Sequence, residues 1–161
     1  MCNINPVLID INSISFNKME QLKNCPCIPC FYISIDGWRR EEKNNSILYT
    51  VEIGMELEDH ILVLQTEKRY SELRKLHISM ISHFSGKFSF TPFPPKSFFN
   101  QNDLIFIRNR QKALQEYCHQ ISMIDGITRF PPFVDFFQYK RMKEIWTKES
   151  TIFETALTPY Y

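Results

Sequence analysis

Arg69 and Tyr70 stand where an apolar run, Ile61-Leu62-Val63-Leu64, gives way to a helical pattern beginning Ser71-Glu72-Leu73. A guanidinium is a planar fork of donors that fits a phosphate group. The neighbouring phenol ring can stack on a ligand or pack beneath it, and Ser71 can cap the helix that follows. An Arg-Tyr pair is common, so its meaning depends on whether other cations converge on it. The basic residues of the chain's middle, Lys96, Arg108 and Arg110 among them, are available for that. Arg108 lies about 200° away from Arg110 around a helix, so the two cannot face one pocket. Each residue also has a plain structural reading. Arg69 could pair with Glu52 or Glu67, Tyr70 could be a core ring, and Lys96 a solvated charge.

The charge distribution favours convergence. The chain of 161 residues has a net charge of only +1, which argues against a global field for nucleic acid. Between Gln65 and Gln115, however, nine Lys or Arg face three acids, giving a local +6 and leaving −5 elsewhere. A basic middle in a near-neutral chain points to one anionic partner surface. The apolar share of 43% and charged share of 23% are those of an ordinary globular domain, and the length suits one domain with modest extensions.

Other chemistries find less support. The run Cys25-Pro26-Cys27-Ile28-Pro29-Cys30 lacks the second ligand pair that zinc sites use, and the nearest histidine is His60. We therefore expect no metal and no cofactor. With five cysteines, an odd count, the chain reads as one with reduced thiols, in the cytosol. Its first residues do not read as a secretory leader, and Cys2 excludes a myristoylation start. No apolar run approaches the ~20 residues that span a bilayer. Cys118 and His119 are adjacent on a helical stretch and so point about 100° apart, which disfavours a nucleophile–base pair. No HExxH, GxSxG or phosphate-loop motif occurs, so an enzyme is not expected.

The elements follow from periodicity. Phe31 to Asp36, Ile47 to Ile53 and His60 to Thr66 alternate as strands joined by short connections, an antiparallel meander. A polar loop from Trp38 to Ser46 separates the first two, and Gly54 is expected to break or bulge the second. Val7 to Ile11 could form another short strand. A helix is expected from about Ser71 to Phe84, with Leu73, Leu76, Met80, Ile81 and Phe84 inward, ending at Gly86. The segment 87–102, rich in Pro and Phe, cannot be a regular element. Asn102 or Asp103 caps a second helix from Leu104 to about Ile124, with Ile107, Leu114, Cys118, Ile121 and Ile124 inward. Pro131-Pro132 opens a short third helix, and a charged helix runs from Lys140 to Glu149. The fold class is thus α+β: a three-stranded antiparallel sheet packed against three to four helices, with a long Pro-rich loop. The division expected is an N-terminal extension (1–28), a central domain (29–140) and a C-terminal helix and tail (141–161).

Three pieces in this order carry a resemblance: Lys68-Arg69-Tyr70-Ser71-Glu72-Leu73, then Phe93-Pro94-Pro95-Lys96, then Arg110-Gln111-Lys112-Ala113-Leu114-Gln115-Glu116-Tyr117. With the strands before them, they resemble a PX (phox-homology) domain over roughly Phe31 to Tyr139. The resemblance implies a phosphoinositide-binding module, most often for phosphatidylinositol 3-phosphate, of the kind found in sorting nexins on endosomal membranes. By the same resemblance Arg69 takes the 3-phosphate, Tyr70 forms the floor under the inositol ring, Lys96 takes the 1-phosphate and Arg110 bonds the 4- and 5-hydroxyls. Phe98 and Phe99 match the position where the family dips apolar residues into the bilayer, and Phe93 is expected to pack inward. Leu73 stands where the family commonly has Phe, a core position. The partners implied are a headgroup and a membrane surface, with a possible protein partner through either extension and no nucleic acid. The protein would be cytoplasmic, peripheral on endosomal or related membranes. An alternative is an adaptor whose Pro92-Phe93-Pro94-Pro95 loop serves as an SH3 ligand.

Overall fold

A computed structural model describes residues 5–97 and 102–157. Strand β1 (Val7–Asp10) and helix α1 (Phe16–Asn24) come first, followed by strands β2 (Phe31–Arg40), β3 (Ile47–Leu57) and β4 (His60–Arg69). Helices α2 (Tyr70–Phe84), α3 (Leu104–Ser122), α4 (Pro131–Phe136) and α5 (Tyr139–Leu157) complete the order.

The sheet has four strands rather than the three expected, in the order β1-β4-β3-β2. All neighbours are antiparallel, and β1 pairs Val7 with Val63 through Asp10 with His60. The stretch from Val7 thus joins the sheet as an edge strand beside β4. Strand β2 also runs further than expected. Its register shifts between Ile35 and Gly37, and Trp38 to Arg40 then pair with Tyr49 to Ile47. A bulge at Asp36 accounts for this, because one extra residue preserves pairing while the strand bends. The expected polar loop is therefore only a tight connection after Arg40.

Gly54 does not break β3 but sits within it, paired to Tyr32 on one side and Val63 on the other. The Tyr32 ring lies across it, so a Cβ at Gly54 would stand 2.3 Å from Tyr32 Cζ. Glycine is needed there for close approach. That ring also delivers its hydroxyl to buried Glu52, whose Oε2 accepts from Tyr32 Oη and Lys18 Nζ at 2.6 Å each. Gln65 Nε2 donates to Glu52 Oε1 at 2.8 Å. Burial opposes the charge of Lys18, but hydrogen bonds to Glu52 and Asp36 outweigh it and raise its pKa above the ordinary 10.5. Helix α1 is thereby pinned to the outer face of the sheet, where Leu22, Tyr32, Ile61 and Val63 form a small apolar cluster.

The opposite face carries the main core. Ile33, Ile35, Val51, Ile53, Leu62 and Leu64 meet Leu73, Leu76 and Met80 of α2 and Ile107, Leu114 and Ile121 of α3. The 3- and 4-residue spacing of those helical positions explains why they share a face. Ile81, expected inward on α2, is 41% exposed, because the stripe that meets the sheet passes through Met80 and Phe84 instead. The inward positions expected of α3, Ile124 in the following turn included, are all buried. Helix α5 starts at Tyr139 and continues past the expected end at Glu149. It is anchored by Trp146, whose Nε1 donates to the Glu56 carbonyl at 2.7 Å.

Cys25, Cys27, Cys30 and Cys118 are free thiols. Burial, reinforced by neighbouring Cys25, pushes the Cys27 thiol up to about 11. Among the described residues no cluster of His, Cys, Asp or Glu could hold a metal ion. Nor is any described helix long and apolar enough to cross a membrane.

Candidate functional site

Strand β4 ends at Arg69 and helix α2 begins at Tyr70, so the pair sits at the handover the sequence indicates. Glu72 fixes this turn, its carboxylate accepting from the Arg69 backbone N–H at 3.3 Å. A carboxylate in the first turn also suits the positive end of the helix dipole. The Arg69 guanidinium is left partly open, with its side chain 43% exposed. It pairs with neither Glu52 nor Glu67. Glu67 is held by Arg39, and Glu52 belongs to the buried network on the outer face. The partner of Arg69 is Glu41, with Nη2 and Oε2 2.6 Å apart.

Arg69, Tyr70, Lys96 and Arg110 all line one cleft of about 270 Å³. They come from a strand end, a helix start, the Pro-rich loop and helix α3. Arg108 is exposed and does not line the cleft, as helical geometry requires. The Arg110 guanidinium lies 3.9 Å over the Tyr70 ring and 4.6 Å over the Phe106 ring. Its Nη2 donates to the Pro95 carbonyl at 2.9 Å. Its Nε is buried and has no hydrogen-bond partner among the described residues. Tyr49 lies beside this arginine on the cleft wall. Burial raises its pKa, while Arg110 opposes the rise.

The loop that carries Lys96 is tied down at several points. Tyr70 Oη donates to the Pro94 carbonyl at 2.5 Å, and Pro94 itself is buried. Thr91 hydrogen-bonds Gln120 through its backbone N–H at 2.7 Å and also through its hydroxyl. Phe93 packs inward, stacking on His77 with centroids 4.5 Å apart and on Tyr70 at 5.6 Å. His77 Nδ1 in turn meets Tyr117 Oη at 2.8 Å. Burial, with Arg74 nearby, lowers the His77 pKa. The proline segment is therefore built into the wall of the cleft rather than held out as a separate arm. Lys96 is exposed at its rim.

Phe98 and Phe99 lie outside the described residues. Cys118 is fully buried, and its thiol is pushed up to about 12 by that burial. A thiol in that state is a poor nucleophile. Glu41, Asn45, Ser46, Tyr49 and Phe106 are site residues that sequence reasoning missed. Phe106 precedes Arg110 by four, the spacing that stacks side chains on a helix, and could have been found that way. Nothing in the sequence singles out Glu41 among the acids available.

The four cleft residues fall inside a stretch, residues 62–140, that matches the family model of the PX domain. The fold agrees, and this stretch is that of a PX domain, a class of phosphoinositide-binding module in membrane traffic. The chain's trace is similar to the X-ray structure of a designed CISK-PX domain, with a TM-score of 0.56 and 19% identity. That similarity covers 66% of this chain and 97% of the other. In sequence it is similar to the kinesin-like protein Klp98A of Drosophila melanogaster, 22% identical over 126 residues, or 75% of this chain. The chain spans only about 10% of that protein's length.

Proposed function

We propose that the cleft binds the headgroup of a 3-phosphorylated phosphoinositide, most simply phosphatidylinositol 3-phosphate, and so recruits the protein to endosomal-type membranes for sorting or transport. The observation that carries this reading is the convergence of Arg69, Lys96 and Arg110 around the Tyr70 ring in one cleft. Arg69 takes the 3-phosphate, because its half-exposed fork at the strand end lines the cleft and pairs well with a dianion. Lys96, at the rim, takes the 1-phosphate that joins the headgroup to its lipid. Arg110, which lines the cleft, pairs the neutral 4- and 5-hydroxyls. Tyr70 is the floor. Its ring is backed by Phe93 and faces the Arg110 guanidinium.

Phe98 and Phe99 follow Lys96 after Ser97 and are placed by sequence to dip into the bilayer. Each fully inserted side chain would contribute about 1.5–3 kcal/mol. Exposed Leu104 and Ile105, at 49% and 69%, begin α3 next to cleft-lining Phe106 and extend the apolar rim. The protein is accordingly cytoplasmic and peripheral on its membrane.

Flotation with liposomes carrying each phosphoinositide in turn tests the reading. Binding should prefer the 3-phosphate species, and Arg69→Ala should reduce it at least about tenfold, the loss expected for a charge-assisted pair. Equal binding to every phosphoinositide, or binding indifferent to Arg69→Ala, would sink it.

A further inference from the structure

We infer that Glu41 is a built-in competitor for the phosphate group at Arg69 and sets the affinity of the cleft. Glu41 follows the last residue of β2, and its backbone is held on both sides. Its N–H donates to the Ser46 carbonyl at 2.8 Å, and its carbonyl accepts from Asn45 N–H at 2.9 Å. Asn45 and Ser46 themselves line the cleft. Across β3, Arg40 pairs with Ile47 while Arg69 pairs with Leu48, so the β2–β3 connection is aligned with the end of β4. A short, pinned connection thus delivers a carboxylate to the one guanidinium that a phosphate would need. The contact is a single charge-assisted bond of 2.6 Å between side chains 43% and 27% exposed. Such a half-exposed pair is weak and exchangeable, whereas a phosphate monoester offers more charge and more acceptor oxygens. Ligand binding is therefore an exchange of one anion for another, and the carboxylate regains Arg69 when the ligand leaves. Without the carboxylate, the same phosphate would meet an open guanidinium.

The lipid aspect rests on the headgroup reading above, and a phosphate group is the chemistry common to lipid and free ligand. Glu41→Gln keeps the side chain's shape and removes its charge. It should bind vesicles of phosphatidylcholine with phosphatidylinositol 3-phosphate about two- to fivefold more tightly than the unaltered chain, the worth of an exposed pair. Inorganic phosphate, titrated while the Arg69 side-chain resonance is followed by NMR, should show a similar gain. In an Arg69→Ala background, Glu41→Gln should add nothing, because the two act as one unit. Glu42→Gln, a neutralisation one residue away, should give a smaller gain. Unchanged or weaker binding by Glu41→Gln, an equal gain from Glu42→Gln, or a gain that persists without Arg69 would overturn the inference. So would a gain with vesicles and none with phosphate, which marks general membrane repulsion. If the unaltered chain ignores the vesicles, the headgroup reading fails, and the phosphate titration alone decides the role of Glu41.

Discussion

Two clusters of charge on the same sheet, one at mid-strand and one at the strand ends, behave differently. On the outer face Glu52 is 4% exposed and accepts three hydrogen bonds, from Lys18, Tyr32 and Gln65. At the cleft, Arg69 has one carboxylate partner and is nearly half open, and Lys96 stands at the rim. The first arrangement satisfies a buried charge completely and joins α1 to β2, β3 and β4. The second leaves cations under-paired around an aromatic ring. A buried charge must be matched, since an unmatched one costs several kcal/mol. A half-exposed charge can wait for a ligand at little cost. The degree of pairing, more than the amount of charge, separates the fastening from the site.

That contrast breaks most sharply at Glu52. Glu52→Ala strands Lys18 and the Tyr32 hydroxyl and should cost about 3–5 kcal/mol in urea unfolding. The protein that remains folded should still bind vesicles, because Glu52 and its partners do not line the cleft. Arg69→Ala should show the reverse profile. Its unfolding free energy should move by less than about 1 kcal/mol, while binding is lost. A large stability loss with Arg69→Ala would show that the arginine belongs to the scaffold instead.

The smallest effect sharpens the comparison at the border between core and cleft. His77 stacks on Phe93, meets Tyr117 and lies near Arg74, and its pKa is lowered from 6.5 by burial first and by Arg74 second. The folded state therefore favours the neutral ring. Its contribution is fully present above 6.5 and is lost as the pH falls through the lowered folded value. Thermal melts on either side of 6.5 should show a small destabilisation on acidification that His77→Gln removes. An unchanged pH dependence in His77→Gln would place the titrating group elsewhere.

Much of this molecule was legible because period and position agree. Leu73, Leu76 and Met80 repeat at helical spacing and are buried, and Ile33, Ile35, Val51 and Ile53 alternate and are buried. The edge strand was harder. Val7 and Leu8 are 56% and 40% exposed, so their pattern does not mark one buried face, and pairing with β4 decides their place. Helix α1 gave still less signal. Phe16 is 76% exposed and only Gln21 and Leu22 are buried, so no apolar stripe announces it. What holds it is Lys18 reaching Glu52, a contact between residues 34 positions apart. The cleft cations were readable from their motifs, since each lies in a local pattern of turn, proline or helix. Glu41 was not, because its importance depends on where a bulged strand delivers it across the sheet. Gly54 misled in the same way. In sequence it reads as a strand breaker, and only the Tyr32 ring above it explains its place inside the strand.

The anchoring of Trp146 at Glu56 gives the chain an optical use. There are two tryptophans, and they report on opposite ends of the sheet. Trp38 pairs with Tyr49, a lining residue of the cleft, and its ring lies beneath the Arg40 guanidinium. Trp146 donates to the carbonyl seven residues further along β3, roughly 23 Å away at strand spacing. Intrinsic fluorescence can therefore separate occupancy from integrity. A headgroup should perturb emission from the Trp38 end and leave Trp146 dark to the event, whereas melting should expose both indoles to water.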